Sequence, residues 1–132
     1  AVEAIRQADV VVLGPGSWFT SVIAPLLVTG INEALAESAA TVIVVLNLAA
    51  QPGETSDFSP ERHLQELGRY LPSVRIDVVI ADPGRVSDVA ALASATASLG
   101  GKLVLAPVSA RDQTPRHDVD LLASAFGGVL AP

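Results

Sequence analysis

Four short apolar runs, rich in β-branched residues, recur along the chain: residues 9–13 (DVVVL), 41–46 (TVIVVL), 77–81 (DVVIA) and 102–106 (KLVLA). Each is continuous rather than alternating, the pattern of a strand buried on both faces. The stretches between them have a helical period. Residues 20–38 carry Val22, Ile23, Leu26, Leu27, Ile31, Ala34 and Leu35 at helical spacing, with a break or kink expected at Gly30. Ser59-Pro60 reads as an N-cap followed by proline at the first helical position, with Leu64, Leu67 and Leu71 on one face. Ser87 is expected to cap a helix that Gly100-Gly101 ends, and Asp118 or a neighbour a last helix through Phe126. Strands and helices in strict alternation specify an α/β chain: a parallel sheet with helices on its faces.

Right-handed crossovers place the carboxyl ends of all parallel strands along one edge, where open α/β sheets bind their ligands. The loops expected there are 14–21, 47–59, 82–87 and 107–117. They hold most of the unusual polar residues of the chain.

Composition narrows what such an edge can bind. The 132 residues suit a single domain, and half of them are hydrophobic although only 4% are aromatic. A formal charge of −6 argues against general nucleic-acid binding, which needs a basic face. No apolar run reaches the roughly 18 residues of a membrane span, and residues 1–9 (AVEAIRQAD) do not read as a signal peptide. With no cysteine there are no disulfides, thiolate nucleophiles or cysteine zinc sites. A reducing cytoplasm is compatible with that. The chain opens without methionine inside a helical pattern, which reads as a fragment.

Four constellations fall on the expected edge. Gly14-Pro15-Gly16-Ser17, with Thr20 and Ser21 after it, joins the first strand to the following helix. Glycines allow close backbone approach to a phosphate, and amides at a helix start favour an anion. The spacing matches neither GxGxxG nor GxxxxGK[ST], so a plain strand-to-helix turn stays open. Trp18 and Phe19 beside it call for a pocket or a partner surface. Asn47, then Gln51-Pro52-Gly53-Glu54-Thr55, offer amides suited to a base edge or sugar hydroxyls. Glu54 and Asp57 are candidate ligands for magnesium carried by a phosphate group. A proline-glycine turn with solvated acids is the plainer alternative. His63, in the first turn of its helix, is expected beside the loop rather than deep in the core, and suits phosphate contact or proton exchange. Arg111 and Arg116-His117 form the cationic group of the last loop, and arginine forks suit phosphate. No nucleophile–base–acid set emerges, so the residues describe a nucleotide-like binding edge more readily than an enzyme.

GPGSWFTSVIAPLLVTGINEAL (residues 14–35) resembles the CofD/YvcK family signature GPGSLYTS-I-PNLLV-GI-EAL. NLAAQPGETSDFSPERHL (residues 47–64) is similar to that family's QPGET segment, and PRHDVDLLASAF (residues 115–126) to its R-H-D stretch. The resemblance is nearer to the YvcK branch of gluconeogenesis factors than to the phospholactate transferases. It implies a three-layer Rossmann-like fold, here the C-terminal half of a larger domain in a protein of roughly 320 residues. It further implies a cytoplasmic bacterial protein that binds UDP-N-acetylglucosamine or a related nucleotide and influences carbon metabolism, cell shape and cell-wall synthesis. The transferase branch implies phospholactyl transfer to a deazaflavin with magnesium. A third expectation is an interaction module: a homo-oligomer, or packing of Trp18 and Phe19 against a missing N-terminal half. Carried over residue by residue, the ligand-binding candidates are Gly14, Pro15, Gly16, Ser17, Thr20, Ser21, Asn47, Gln51, Gly53, Glu54, Thr55, His63 and Arg116. Pro52 and His117 also match the motifs. This chain departs in Trp18-Phe19 for Leu-Tyr, Ala49-Ala50 for Met-Thr, and Arg62 for the Asp before His63.

Overall fold

The computed structural model describes residues 1–16, 18–48, 59–110, 112, 114 and 116–131. Its centre is a four-stranded sheet of β1 (Val10–Leu13), β2 (Thr41–Val45), β3 (Val78–Ala81) and β4 (Lys102–Leu105). All pairings are parallel and the order is β1-β2-β3-β4. The expected runs are all strands, each one residue shorter, and the residues left out (Asp9, Leu46, Asp77 and Ala106) still make hydrogen bonds to the neighbouring strand.

Strand order decides the layers. When consecutive strands are neighbours and every crossover is right-handed, all crossover segments land on the same face. That face carries α2 (Ala24–Leu26), α3 (Thr29–Glu37), α4 (Pro60–Tyr70) and α5 (Val89–Ser98). Leu26, Leu35, Leu64, Leu67 and Leu92 meet Val42, Val44 and Val79 there in the larger core cluster. The opposite face is covered by α6 (Val119–Leu130), whose Leu122, Phe126 and Val129 pack on Ile43, Val45, Val78 and Ile80. The result is a helix–sheet–helix sandwich of the expected α/β class. Each fully buried side chain, such as Leu64 or Ile80, contributes about 1.5–3 kcal/mol of transfer free energy.

The helices differ in detail from expectation. The pattern over 20–38 is three pieces: a wide π-type turn at Trp18–Ile23, then α2, then α3. The break falls at Leu27 and Val28, and Gly30 lies inside α3. Asn32 makes that break affordable by donating to the carbonyls of Leu26 (3.2 Å) and Tyr70 (2.5 Å). Ser59 caps α4 as expected, accepting from Arg62 N. Asp88, not Ser87, caps α5, because its Oδ1 reaches Ala91 N at 2.9 Å. Asp118 caps α6, which runs on past Phe126 to Leu130. The N-terminal segment is helical as expected: α1 (Val2–Gln7) places Ile5 against the larger cluster. Among the described residues, no helix is long and apolar enough to cross a membrane.

Candidate functional site

The carboxyl ends of the strands share one edge, and three side chains organise it. At the end of β1 the chain turns through Gly14, Pro15 and Gly16, with a cis bond between the first two. Gly14 has φ +80°, and a Cβ there would stand 2.7 Å from the Val45 carbonyl oxygen. Only glycine lets the turn lie on the tip of β2. The Asn47 side chain then fastens it. Its Oδ1 accepts from Gly16 N at 3.1 Å, and its Nδ2 donates to Gly16 O at 2.8 Å. Ser21 is exposed and close to Gly16. Ser17 lies outside the described residues, as does the side chain of Thr20.

Asp82, at the end of β3, organises the next pair of loops. Its Oδ2 accepts from Val108 N (2.9 Å), Ser109 N (3.0 Å) and Ser109 Oγ (2.8 Å), and its Oδ1 from Gly84 N (2.8 Å). Burial alone would raise its pKa, but these four donors stabilise the carboxylate more strongly and hold it below the usual 3.8. The residue is therefore a charged clamp. Sequence reasoning gave Asp82 no role. The available signal was Asp-Pro-Gly directly after a buried strand, the composition of a side-chain-closed turn.

His117 links the last loop to the middle of the edge. Ser109 and His117 form an antiparallel bridge, flanked by Ala110 N to Arg116 O and Asp118 N to Val108 O. The imidazole is hydrogen-bonded to the Leu46 backbone and lies within the field of the Asp82 carboxylate. Burial lowers its pKa, and the Leu46 bond and the Asp82 charge offset that only in part. Its Nε2 is buried and, among the described residues, has no hydrogen-bond partner. Arg116 points the other way. It is exposed, with Nη2 on Asp112 Oδ2 at 2.6 Å and Nε on Thr114 Oγ1 at 3.1 Å. Hydrogen bonds from Thr114, then from Arg116, bring the exposed Asp112 carboxyl down to about 2. The guanidinium is thus already engaged within its own loop.

His63 lies in the first turn of α4 as expected but is more enclosed than expected, with only 5% of it exposed. Burial lowers its pKa, which favours the neutral ring. Gln51, Pro52, Gly53, Glu54, Thr55, Asp57 and Arg111 lie outside the described residues. Among the described residues, no group of three or more histidines and acids converges to hold a metal. A groove of about 220 Å³ reaches Gly14 and Ser21, but Val11, Leu13, Val22 and Leu26 make its walls apolar.

Of the candidates, the structure therefore brings Gly14, Pro15, Gly16, Ser21 and Asn47 together on one side of the edge. Arg116 sits in the loop after β4, and His63 is enclosed. A tight glycine turn on a strand tip, followed by a helical turn, is an arrangement that can offer backbone amides to an anion. The model of the family described as 2-phospho-L-lactate transferase CofD matches residues 1–106.

The chain belongs to the CofD family.

Its curated relatives include a protein of Mycobacterium tuberculosis named "Putative gluconeogenesis factor", 46% identical over 99% of this chain and 39% of that protein. One of the same name from Mycobacterium leprae is 46% identical over 98% of this chain and 36% of its own length. The chain thus spans well under half of these relatives. A crystal structure of a UPF0052 family member from Bacillus halodurans superimposes with a TM-score of 0.80 at 28% identity, covering 94% of this chain and 44% of that one. The match to gluconeogenesis factors agrees with the branch that the sequence resembles.

Proposed function

We propose that this CofD-family chain is part of a nucleotide-binding regulatory protein, with a UDP-sugar such as UDP-N-acetylglucosamine as its ligand. The observation that carries the reading is the Gly14–Gly16 turn, set on the tip of β2 and fastened by Asn47 at the head of a helical turn. Backbone amides there and the hydroxyls of Ser17, Thr20 and Ser21 would take the phosphates, with Pro15 shaping the turn. Gln51, Gly53, Glu54 and Thr55 would meet the sugar or base, and Arg116 would turn from Asp112 to a phosphate. The protein would act in the bacterial cytoplasm on carbon metabolism and cell-wall synthesis, as a homo-oligomer or with further chain packed beside β1, whose Val12 is 43% exposed.

The family model's description favours a second reading, transfer of a phosphorus-containing group, for which we take magnesium as the metal. Glu54 and Asp57 would then serve the metal.

Isothermal titration of the naturally expressed protein with UDP-N-acetylglucosamine, UMP and NAD tests the first reading. Uridine-selective binding is expected, weakened about tenfold or more in Ser17→Ala and Arg116→Ala. Absence of heat from every nucleotide overturns it, and magnesium-dependent phospholactyl transfer would support the second.

A further inference from the structure

We propose that Asn47 is a positioning residue: its side-chain amide forms one more rung of the β1–β2 ladder, holding the glycine turn in register, and it does not read the ligand. The ladder pairs Val10 with Thr41 through to Leu13 with Val44, a constant offset of 31 residues. Gly16 and Asn47 are also 31 apart. Between the last backbone pair and this one, Gly14 leaves extended geometry. Asn47 spans the gap with one acceptor and one donor, the two groups a peptide unit would supply.

The same device closes the opposite edge of the sheet. Ile43 pairs with Val78, and one step before them Asp77 Oδ2 accepts from Val42 N at 2.8 Å while Asp77 N donates to Val42 O at 2.9 Å. There, on the β2–β3 ladder, a side chain supplies one of the two bonds of the extra rung, where Asn47 supplies both. An amide that reads a nucleobase must present Oδ1 and Nδ2 together as a fork. In Asn47 that fork is already closed on Gly16, so the residue governs where the turn's amides point rather than which base is accepted.

The ligand arm of the test rests on the nucleotide reading, and the exchange arm does not. Hydrogen exchange by mass spectrometry and titrations with UMP and AMP are run on the naturally expressed protein and on Asn47→Ala and Asn47→Asp. In Asn47→Ala, exchange at residues 14–21 accelerates about tenfold, the loss of two net hydrogen bonds, while peptides from β2 and β3 keep their protection. UMP and AMP weaken by the same factor, so their affinity ratio moves by less than about twofold. Asn47→Asp keeps the acceptor for Gly16 N but sets a carboxylate against Gly16 O. It therefore accelerates exchange there too and weakens both nucleotides at least as much. Unchanged exchange in both variants overturns the proposal, as does a UMP-to-AMP ratio altered more than about fivefold. If neither nucleotide binds the parent protein, the nucleotide reading fails, and acceleration or its absence at residues 14–21 decides alone.

Discussion

Replacing Asp82 by asparagine preserves shape while removing one acceptor atom and one charge, so its cost can be worked from the hydrogen bonds. Asparagine must point either its oxygen or its NH₂ at the three donors of Val108 and Ser109. The cheaper choice keeps the oxygen there and turns the NH₂ toward Gly84 N, 2.8 Å from the present Oδ1. One orphaned amide costs about 1–3 kcal/mol, and each of the other bonds loses its charge assistance. The sum is about 2–4 kcal/mol, a large part of the about 5–15 kcal/mol available to a domain. For a chain of this length that lowers the melting temperature by about 8–15 °C. Urea titration at pH 7 measures the free energy, and repeating it from pH 6 down to pH 2.5 measures the linkage. The folded pKa of Asp82 is below 3.8, so its contribution is complete above that value and is lost as pH falls through the folded one. The parent protein should lose stability in that window and the asparagine variant should lose less. A variant within about 0.5 kcal/mol of the parent at pH 7, or one with an identical acid limb, refutes the clamp.

Two glycines should respond in opposite senses. Gly14→Ala pays about 1–2 kcal/mol for its positive φ and must push the Val45 carbonyl aside, for a total of about 2–4 kcal/mol. Gly127, on an exposed part of α6 with nothing within 4 Å of an added Cβ, should gain about 0.5–1 kcal/mol as alanine. Thermal unfolding of the pair checks both signs. His63 and His117 have folded pKa values lowered from 6.5 by burial, so the unfolded chain binds protons first. Their contribution is complete above pH 6.5 and is lost as pH falls through the lower folded values. Denaturant midpoints between pH 7.5 and 5 should therefore fall, and His117→Gln should flatten the fall. A midpoint that rises on acidification contradicts the reading.

What the sequence made legible is what depends on neighbours in the chain. Continuous runs such as TVIVV and DVVI announce buried strands on their own, and Ser59 with Pro60, or Asp118, mark helix starts within three residues of the group they cap. Errors came where two local signals competed. Ser87 and Asp88 are both good caps, and only backbone geometry selects the second. Gly30 looked like the break before α3, yet the break sits at Val28, because Asn32 satisfies a carbonyl on α2 and another on α4. The site was legible as a set of loops but not as a set of roles. Asn47 finds its partner 31 residues away and Asp82 finds Val108 26 residues away. No local spacing carries that information. Likewise the burial of His63, only 5% exposed, is a property of the folded packing and carries no signature in residues 59–64.

The charge balance of the edge bears on how an anion would be held there. The protein carries −6 overall, and the described cation of the last loop, Arg116, is bonded to Asp112. Asp82 adds a buried negative charge and is already saturated by four donors. Side-chain cations are therefore a poor first source of attraction. Backbone amides are the other source: Gly16 N is itself taken by Asn47 Oδ1, which leaves this role to the amides after it, and N–H groups that converge attract an anion through fixed dipoles. Such dipoles work only if the turn is held still, and stillness is what Gly14 against Val45 and Asn47 around Gly16 supply. An anion bound this way should be less sensitive to salt than one bound by an arginine pair, because peptide dipoles carry no net charge and so have little long-range field for salt to screen. Affinity that collapses between low and physiological salt would put the weight back on Arg116, and affinity that barely moves would put it on the turn.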